Sequence, residues 1–260
     1  MDLSQRDASV LGRFGDFCAR EGLGPTRRAL ANHEVIEAFL AHGCRGLAPH
    51  SRGTYRSTLR RLGQTRDAGE FCASPAPPPY DTAEVATLWS TVRHQQSDLR
   101  IANATVLLCA TLGAGLRPKE LAHLRGGDVT RERGRIVVAV RGRYPRLVPV
   151  LVPFADALYD IAQRRRGYVF RPGARVRDTK NLVGEVCTRL VRDPDEPRLT
   201  SARARATFLC HHLARGTPLR ELTTLAGLRD VESLLRYARH VRGAPSSKAA
   251  LRARAREESR

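Results

Sequence analysis

Three consecutive prolines, Pro77-Pro78-Pro79, close the segment Ala73-Ser74-Pro75-Ala76-Pro77-Pro78-Pro79-Tyr80. Each proline lacks a backbone N–H and holds φ near −65°, so the run can be neither helix nor inner strand. It reads as an extended, semi-rigid spacer. A chain of 260 residues broken in this way is expected to form two bodies, each with its own core. The expected division is 1–72, a spacer at 73–80, a larger body at 81–242 and a basic tail at 243–260.

The first body reads as all helix. Ala8, Val10, Leu11, Phe14, Phe17 and Cys18 recur at helical spacing, and Gly22-Leu23-Gly24-Pro25-Thr26 ends that run. Asn32 is a good N-cap for a second helix carrying Val35, Ile36, Phe39 and Leu40. A third helix starts near Ser51, with Tyr55, Leu59 and Leu62 inward. Its other face carries Arg52, Arg56 and Arg60, four apart and therefore on one stripe.

Beyond the spacer, Asp81-Thr82-Ala83-Glu84 has the spacing of a capping box. A long apolar helix, Ala102 to Leu112, ends at Gly113-Ala114-Gly115, and Pro118 suits the first position of the next helix. The period then changes. Ile136–Val140 and Leu147–Val150 are strand-like, with a basic turn between them, so a β-hairpin is expected. Helices are expected again at 154–165, 179–192, 200–215, 218–226 and 231–239, with a short one at 249–258 in the tail. The fold class is mainly α with a small β-hairpin or sheet (α+β).

Charge narrows the function. Lys plus Arg number 45 against 26 Asp plus Glu, a net charge of +19. Nearly all the cations are arginine. An excess of this size implies a polyanionic partner, with double-stranded DNA the leading candidate. A membrane-surface reading is disfavoured, because the basic residues are spread along the chain instead of lining one amphipathic helix. No apolar run approaches the roughly 20 residues needed to cross a bilayer, and the N-terminal residues show no secretory signal. The stretch from Arg45 to Arg61 contains no acidic residue. A solvated face usually mixes signs, so Arg45, Arg52, Arg56 and Arg60 are candidates for backbone-phosphate contact.

The six cysteines, Cys18, Cys44, Cys72, Cys109, Cys187 and Cys210, show no paired spacing. They read as reduced thiols in a cytosolic chain. His211-His212 is an adjacent pair whose side chains point apart on a helix, so no metal site is expected there. No cofactor is expected.

Three segments carry a resemblance to a known family. Gly115-Leu116-Arg117-Pro118-Lys119-Glu120-Leu121, with Leu124 and Asp128 following, resembles the first catalytic-arginine box of the tyrosine recombinases, the phage-integrase family. Leu199-Thr200-Ser201-Ala202-Arg203-Ala204-Arg205-Ala206-Thr207-Phe208 resembles the second. Leu225-Ala226-Gly227-Leu228 through Arg236-Tyr237 resembles the box that ends in the nucleophilic tyrosine. The boxes stand in the family's order with a hairpin between the first two. The resemblance implies an N-terminal helical core-binding (SAM-like) domain at 1–72 and an integrase-type catalytic domain at 81–242.

It also implies chemistry. A tyrosine phenolate, here Tyr237, would attack a DNA phosphate to give a 3′-phosphotyrosyl intermediate. Arg117 and Arg205 would hold the non-bridging oxygens, since a guanidinium fork neutralises phosphate with directed hydrogen bonds. The departures are as informative. Ala202 stands where the family usually has His, Leu228 where it has His or Trp, and Arg141, with Arg143 as the alternative, at the usual hairpin Lys. Arginine stays charged above pH 12 and is a poor proton donor, while alanine and leucine transfer none. The expectation is a DNA-binding protein on a catalytically impaired scaffold, acting as a sequence-specific regulator or accessory factor. The alternative is an active recombinase that uses substitutes, and a weaker third is a structural or protein-interaction role. Arg141, Arg143, Arg146 and Arg203 join the DNA-contact candidates. The two bodies would clamp the duplex, with self-association on DNA, as dimer or tetramer, through the tail. The expected location is the cytoplasm, with the nucleoid.

Overall fold

In the computed structural model, residues 5–24, 27–63, 76–177 and 182–258 are described. The chain is mainly helical with one three-stranded antiparallel sheet, and it divides into two compact units, 1–75 and 76–260.

The first unit holds α1 (Gln5–Arg20), α2 (Arg27–Ala31), α3 (His33–Ala38) and α4 (Pro49–Gly63). Asn32 caps α3, its side chain accepting the Glu34 N–H at 2.9 Å. The helix continues into a wide π-turn, Phe39–Gly43. Phe39 is the centre of the core. Its ring lies edge-on to Phe14 at 5.3 Å, 5.5 Å from Phe17 and stacked at 6.3 Å on Tyr55. Short α2 was not expected from the sequence. It occupies part of the segment between α1 and α3 and puts Ala29 into the core.

The second unit opens with an extended strap, 76–80, that packs down instead of spanning free space. Ala76 and Tyr80 are buried in its core. Tyr80 Oη donates to the Arg198 carbonyl at 2.5 Å and accepts the Thr200 N–H at 3.0 Å. The Arg203 guanidinium lies 4.1 Å from the Tyr80 ring centroid, donates to the Pro78 and Pro79 carbonyls and pairs with Glu84 at 2.6 Å. The prolines set the strap's extended shape, and the aromatic after them fixes it. The earlier part of the expected spacer, 73–75, lies outside the described residues.

Then follow α5 (Thr82–Arg93), α6 (Asp98–Leu108) and a second π-turn, Cys109–Gly113. Both halves of the Asp81/Glu84 capping box are formed. Residues from Ala104 to Leu116 are buried without a break, which makes α6 and its π-turn the central rod of the unit. After α7 (Pro118–Ala122), with Pro118 at its first position, come β1 (Val129–Glu132), β2 (Arg135–Val140) and β3 (Arg146–Pro149), in the order β1-β2-β3. The expected hairpin is β2–β3, with Val138 opposite Val148. Strand β1 is an addition: Val-Thr-Arg-Glu buries only its first residue, so it has no apolar alternation to reveal it. It turns into β2 through Arg133 and Gly134, both at positive φ. Pro149 sits at the sheet edge, where its missing N–H leaves no gap.

Helices α8 (Val152–Gln163), α9 (Leu182–Arg189), α10 (Ser201–Ala214), α11 (Leu219–Leu225), α12 (Leu235–Ala238) and α13 (Lys248–Glu257) complete the unit. The stretch expected as a helix over 231–239 is a 3-10 turn, Val231–Leu234, running into α12. The expected tail helix is α13. It buries Leu251 and Ala255 on its own unit. Its Ala255 carbonyl accepts from Arg220 of α11, and Glu258 accepts the Leu219 N–H at 2.6 Å.

Candidate functional site

Two left-handed glycines shape the site. Gly115, at φ +60, ends the approach to α7, and Gly227, at φ +58, follows α11. A Cβ at Gly115 would run into the Phe208 ring, and one at Gly227 would meet the Arg146 guanidinium at 2.7 Å. Their carbonyls, with that of Ala226, point at the two arginines singled out by the sequence. Arg117 donates through Nη2 to Gly227 O. Arg205, 8% exposed on α10, donates through Nη1 to Gly115 O and through Nη2 to Ala226 O at 2.5 Å. The first and second boxes therefore meet on the loop that opens the third.

Tyr237, on α12, is 8% exposed. Its neighbourhood is read from Arg205, whose pKa is pushed down to about 10. Burial is the main cause; Arg117 and Arg146 push the same way, while Tyr237 and Glu120 oppose. Arg117, Arg146, Glu120 and Tyr237 thus all act on one buried guanidinium. The Arg236 guanidinium lies 5.3 Å from the Tyr237 ring centroid, and Cys210 Sγ approaches the Tyr237 carbonyl at 3.7 Å.

A salt bridge that the sequence did not reveal braces this cluster. Arg146, at the start of β3, has a side chain only 3% exposed and grips Glu120 of α7 in a two-pronged pair, 2.8 and 3.0 Å. It also donates to Leu225 O at 2.7 Å and Tyr144 O at 3.0 Å. Glu120 in turn accepts the Arg117 backbone N–H at 2.8 Å. Burial raises the Glu120 pKa, but hydrogen bonds from Arg146 and the Arg117 N–H outweigh it, and the carboxyl ends below its ordinary value. Arg146, a DNA-contact candidate from the sequence, is placed as a buried tie between β3, α7 and the end of α11.

The other residues named from the sequence are placed as follows. Ala202 is exposed on the first turn of α10, one turn before Arg205, and Leu228 is half-buried against the core. Arg141 begins the β2–β3 turn, 75% exposed, and pairs at 2.6 Å with Asp128, which is 2% exposed. Arg143 is exposed on the same turn, 5.4 Å from the Tyr144 ring centroid. Arg203 anchors the strap described above. In the first unit, Arg56 forms a two-pronged pair with Glu37 at 2.7 and 2.5 Å, and Arg60 reaches the same carboxylate at 3.3 Å. Arg52 donates to Leu47 O, and Arg45 lies against His42. The stripe that lacks acidic residues in its own sequence is supplied with one from α3.

A cleft of about 800 Å³ opens between α7 and the β2–β3 turn. Tyr144 and Tyr168 line it, with Arg117, Arg125 and Arg143 among its cations. Among the described residues, no group of three or more His, Cys, Asp or Glu side chains could hold a metal ion. Cys18, Cys44, Cys109, Cys187 and Cys210 are free and buried. His211 and His212 stand edge-on at 5.7 Å, and burial pushes His212 down to about 4. No helix among the described residues is long and apolar enough to cross a membrane.

A helical domain with a small antiparallel sheet, in which arginines from two separate boxes donate to one loop that opens a third, defines a protein of the tyrosine-recombinase class. Residues 80–242 match the sequence model of the Phage integrase family, and the chain belongs to that family. Among solved structures, the fold is similar to that of the Tn1549 transposon integrase in complex with transposon right end DNA, at 14% identity and a TM-score of 0.61, over 100% of this chain and 95% of that one. It is also similar to the XerH site-specific recombinase bound to difH substrate, at 16% identity and a TM-score of 0.58, over 86% of this chain and 72% of that one. No curated protein matches the chain in sequence.

Proposed function

We propose that this protein binds double-stranded DNA on a recombinase scaffold whose strand-cleaving chemistry is impaired, and that it acts as a sequence-specific regulator or accessory factor in the cytoplasm, with the nucleoid. The observation that carries this reading is the contrast inside one site. The groups that would seat a phosphate are gathered: Arg117 and Arg205 converge on a single loop, with Tyr237 within electrostatic reach of Arg205. The groups that move protons are replaced. Ala202 has none to give, Leu228 packs against the core, and Arg141 holds its charge on Asp128. The net charge of +19 supplies the long-range attraction.

The test is an electrophoretic shift on duplex DNA over a salt series. Affinity should fall steeply and linearly on a log–log plot as salt rises. Absence of binding at low salt, or binding indifferent to salt, removes the proposal.

That Tyr237 is within electrostatic reach of Arg205 favours a second reading, an active recombinase forming a 3′-phosphotyrosine. A nicked suicide substrate separates the two. A covalent protein–DNA band on a denaturing gel that disappears in Tyr237→Phe establishes cleavage. Self-association on DNA through residues 243–260 is the remaining part of the proposal. It requires α13 to exchange its hold on α11, and removing the tail should weaken cooperative assembly.

A further inference from the structure

We infer that the cleft between α7 and the β2–β3 turn takes one unstacked nucleobase of a DNA strand, next to the phosphate seat. This rests on the DNA-binding reading and adds a substrate element to it. The volume, about 800 Å³, falls in the range of small-ligand pockets and exceeds what a lone phosphate requires. The lining pairs flat aromatic faces with flat cations. Tyr144 lies 5.5 Å from the Arg117 guanidinium and 5.4 Å from that of Arg143. Tyr168 lies 5.1 Å from Arg125 and 3.6 Å from Arg177.

Both tyrosines are half-buried, and Tyr168 is held in place from behind. Arg177 is itself tied to the carbonyls of Ala122, Phe170 and Arg171 at 2.7–2.9 Å. His123 meets the Tyr168 ring edge-on at 6.4 Å.

The charge fits a nucleotide better than a neutral aromatic ligand. Arg117, Lys119, Arg125, Arg141 and Arg143 line the cleft against two carboxylates, Glu120 and Asp128. Those two are engaged by Arg146 and Arg141. A base stacks on tyrosine and guanidinium planes whatever its identity, and its own phosphates meet the surrounding cations. Arg117 belongs to both the cleft and the phosphate seat, so a base in the cleft would lie beside the phosphodiester that Arg117 and Arg205 hold.

The full chain is titrated with a short fluorescein-labelled oligothymidylate and with a strand of equal length whose units are abasic tetrahydrofuran. The two carry the same phosphates. The expected result is about tenfold tighter binding of the strand with bases. The ratio of the two affinities should fall to near one in Tyr144→Leu, on the exposed turn, and in Tyr168→Leu, and should be kept in Tyr144→Phe. Equal affinity of the wild-type chain for both strands overturns the inference, as does a base preference that survives both leucine variants. Should Tyr168→Leu fail to fold, Tyr144→Leu decides, together with quenching of a 2-aminopurine placed in the strand. Duplex binding is measured in parallel. If it is intact and salt-dependent while the two strands bind alike, only the cleft assignment falls; if it is absent, the DNA-binding reading falls first.

Discussion

Replacing Arg146 by Met keeps most of the side chain's length and removes its five N–H donors. Glu120 is then left with the Arg117 N–H in a site where its side chain is only 12% exposed. Removing one partner of a buried ion pair typically costs about 3–5 kcal/mol, because the other charge remains in low dielectric. Arg117 and Arg205 stay nearby and offset part of this, so a loss of about 3 kcal/mol is expected by the same rule. For a domain of this size that lowers the unfolding midpoint by about 6–12 °C. The pH dependence is the sharper test. The Glu120 pKa is depressed in the folded wild type, so its contribution is fully present above the ordinary glutamate value and is lost as pH falls through the depressed one. In Arg146→Met, burial acts on Glu120 against only the Arg117 N–H and the Arg205 charge, and its pKa rises. The stability gap between the two proteins is therefore widest at neutral pH and narrows as pH falls below the raised value in Arg146→Met, where that protein takes up the proton before the wild type does. Urea titrations followed by circular dichroism at pH 7 and pH 4 measure it. A gap below about 1 kcal/mol at pH 7, the size of an exposed pair, or a gap independent of pH, would refute the account of Arg146 and Glu120 as a buried charged brace.

Tyr80→Phe removes a hydroxyl that serves both the Arg198 carbonyl and the Thr200 N–H. A loss of about 1–3 kcal/mol in denaturant titration is expected, since both backbone groups are left without that partner. Gly115→Ala should lower the thermal midpoint visibly, because the backbone is left-handed there and the new methyl meets Phe208. Arg117→Ala should weaken duplex binding evenly across sequences and reduce the salt slope by about one phosphate's worth, read from a shift assay at several salt concentrations. The combined substitution Ala202→His with Arg141→Lys supplies proton-transfer groups, and should raise covalent complex on a suicide substrate by about 10²-fold or more if their loss limits cleavage; no rise would place the limitation elsewhere.

Most of the helical plan was legible, because it rests on local rules. Asn32 and the Asp81/Glu84 pair announce helix starts, Pro118 marks a first turn, and the β2 and β3 segments show strand character in their own residues. The three boxes were legible as a resemblance, and their residues do gather around the 225–228 loop. What escaped depends on contacts distant in sequence. Glu37 lies 19 residues from Arg56 and 23 from Arg60, so the stripe looked free of acid. Arg146 reads as one more cation on a basic turn, and it is buried by α7 and the end of α11, both distant in sequence. Tyr80 closes a proline run that by itself specifies extension, and its docking depends on α10. Strand β1 exists because β2 offers it a ladder, not through any pattern of its own.

The carbonyls of Gly115, Ala226 and Gly227 take three of the ten N–H donors of Arg117 and Arg205 and fix where each guanidinium faces. An incoming phosphate would be met by the N–H groups left over, with none of those bonds broken first. The seat is thus set in place, before any ligand arrives, by acceptors the protein carries itself.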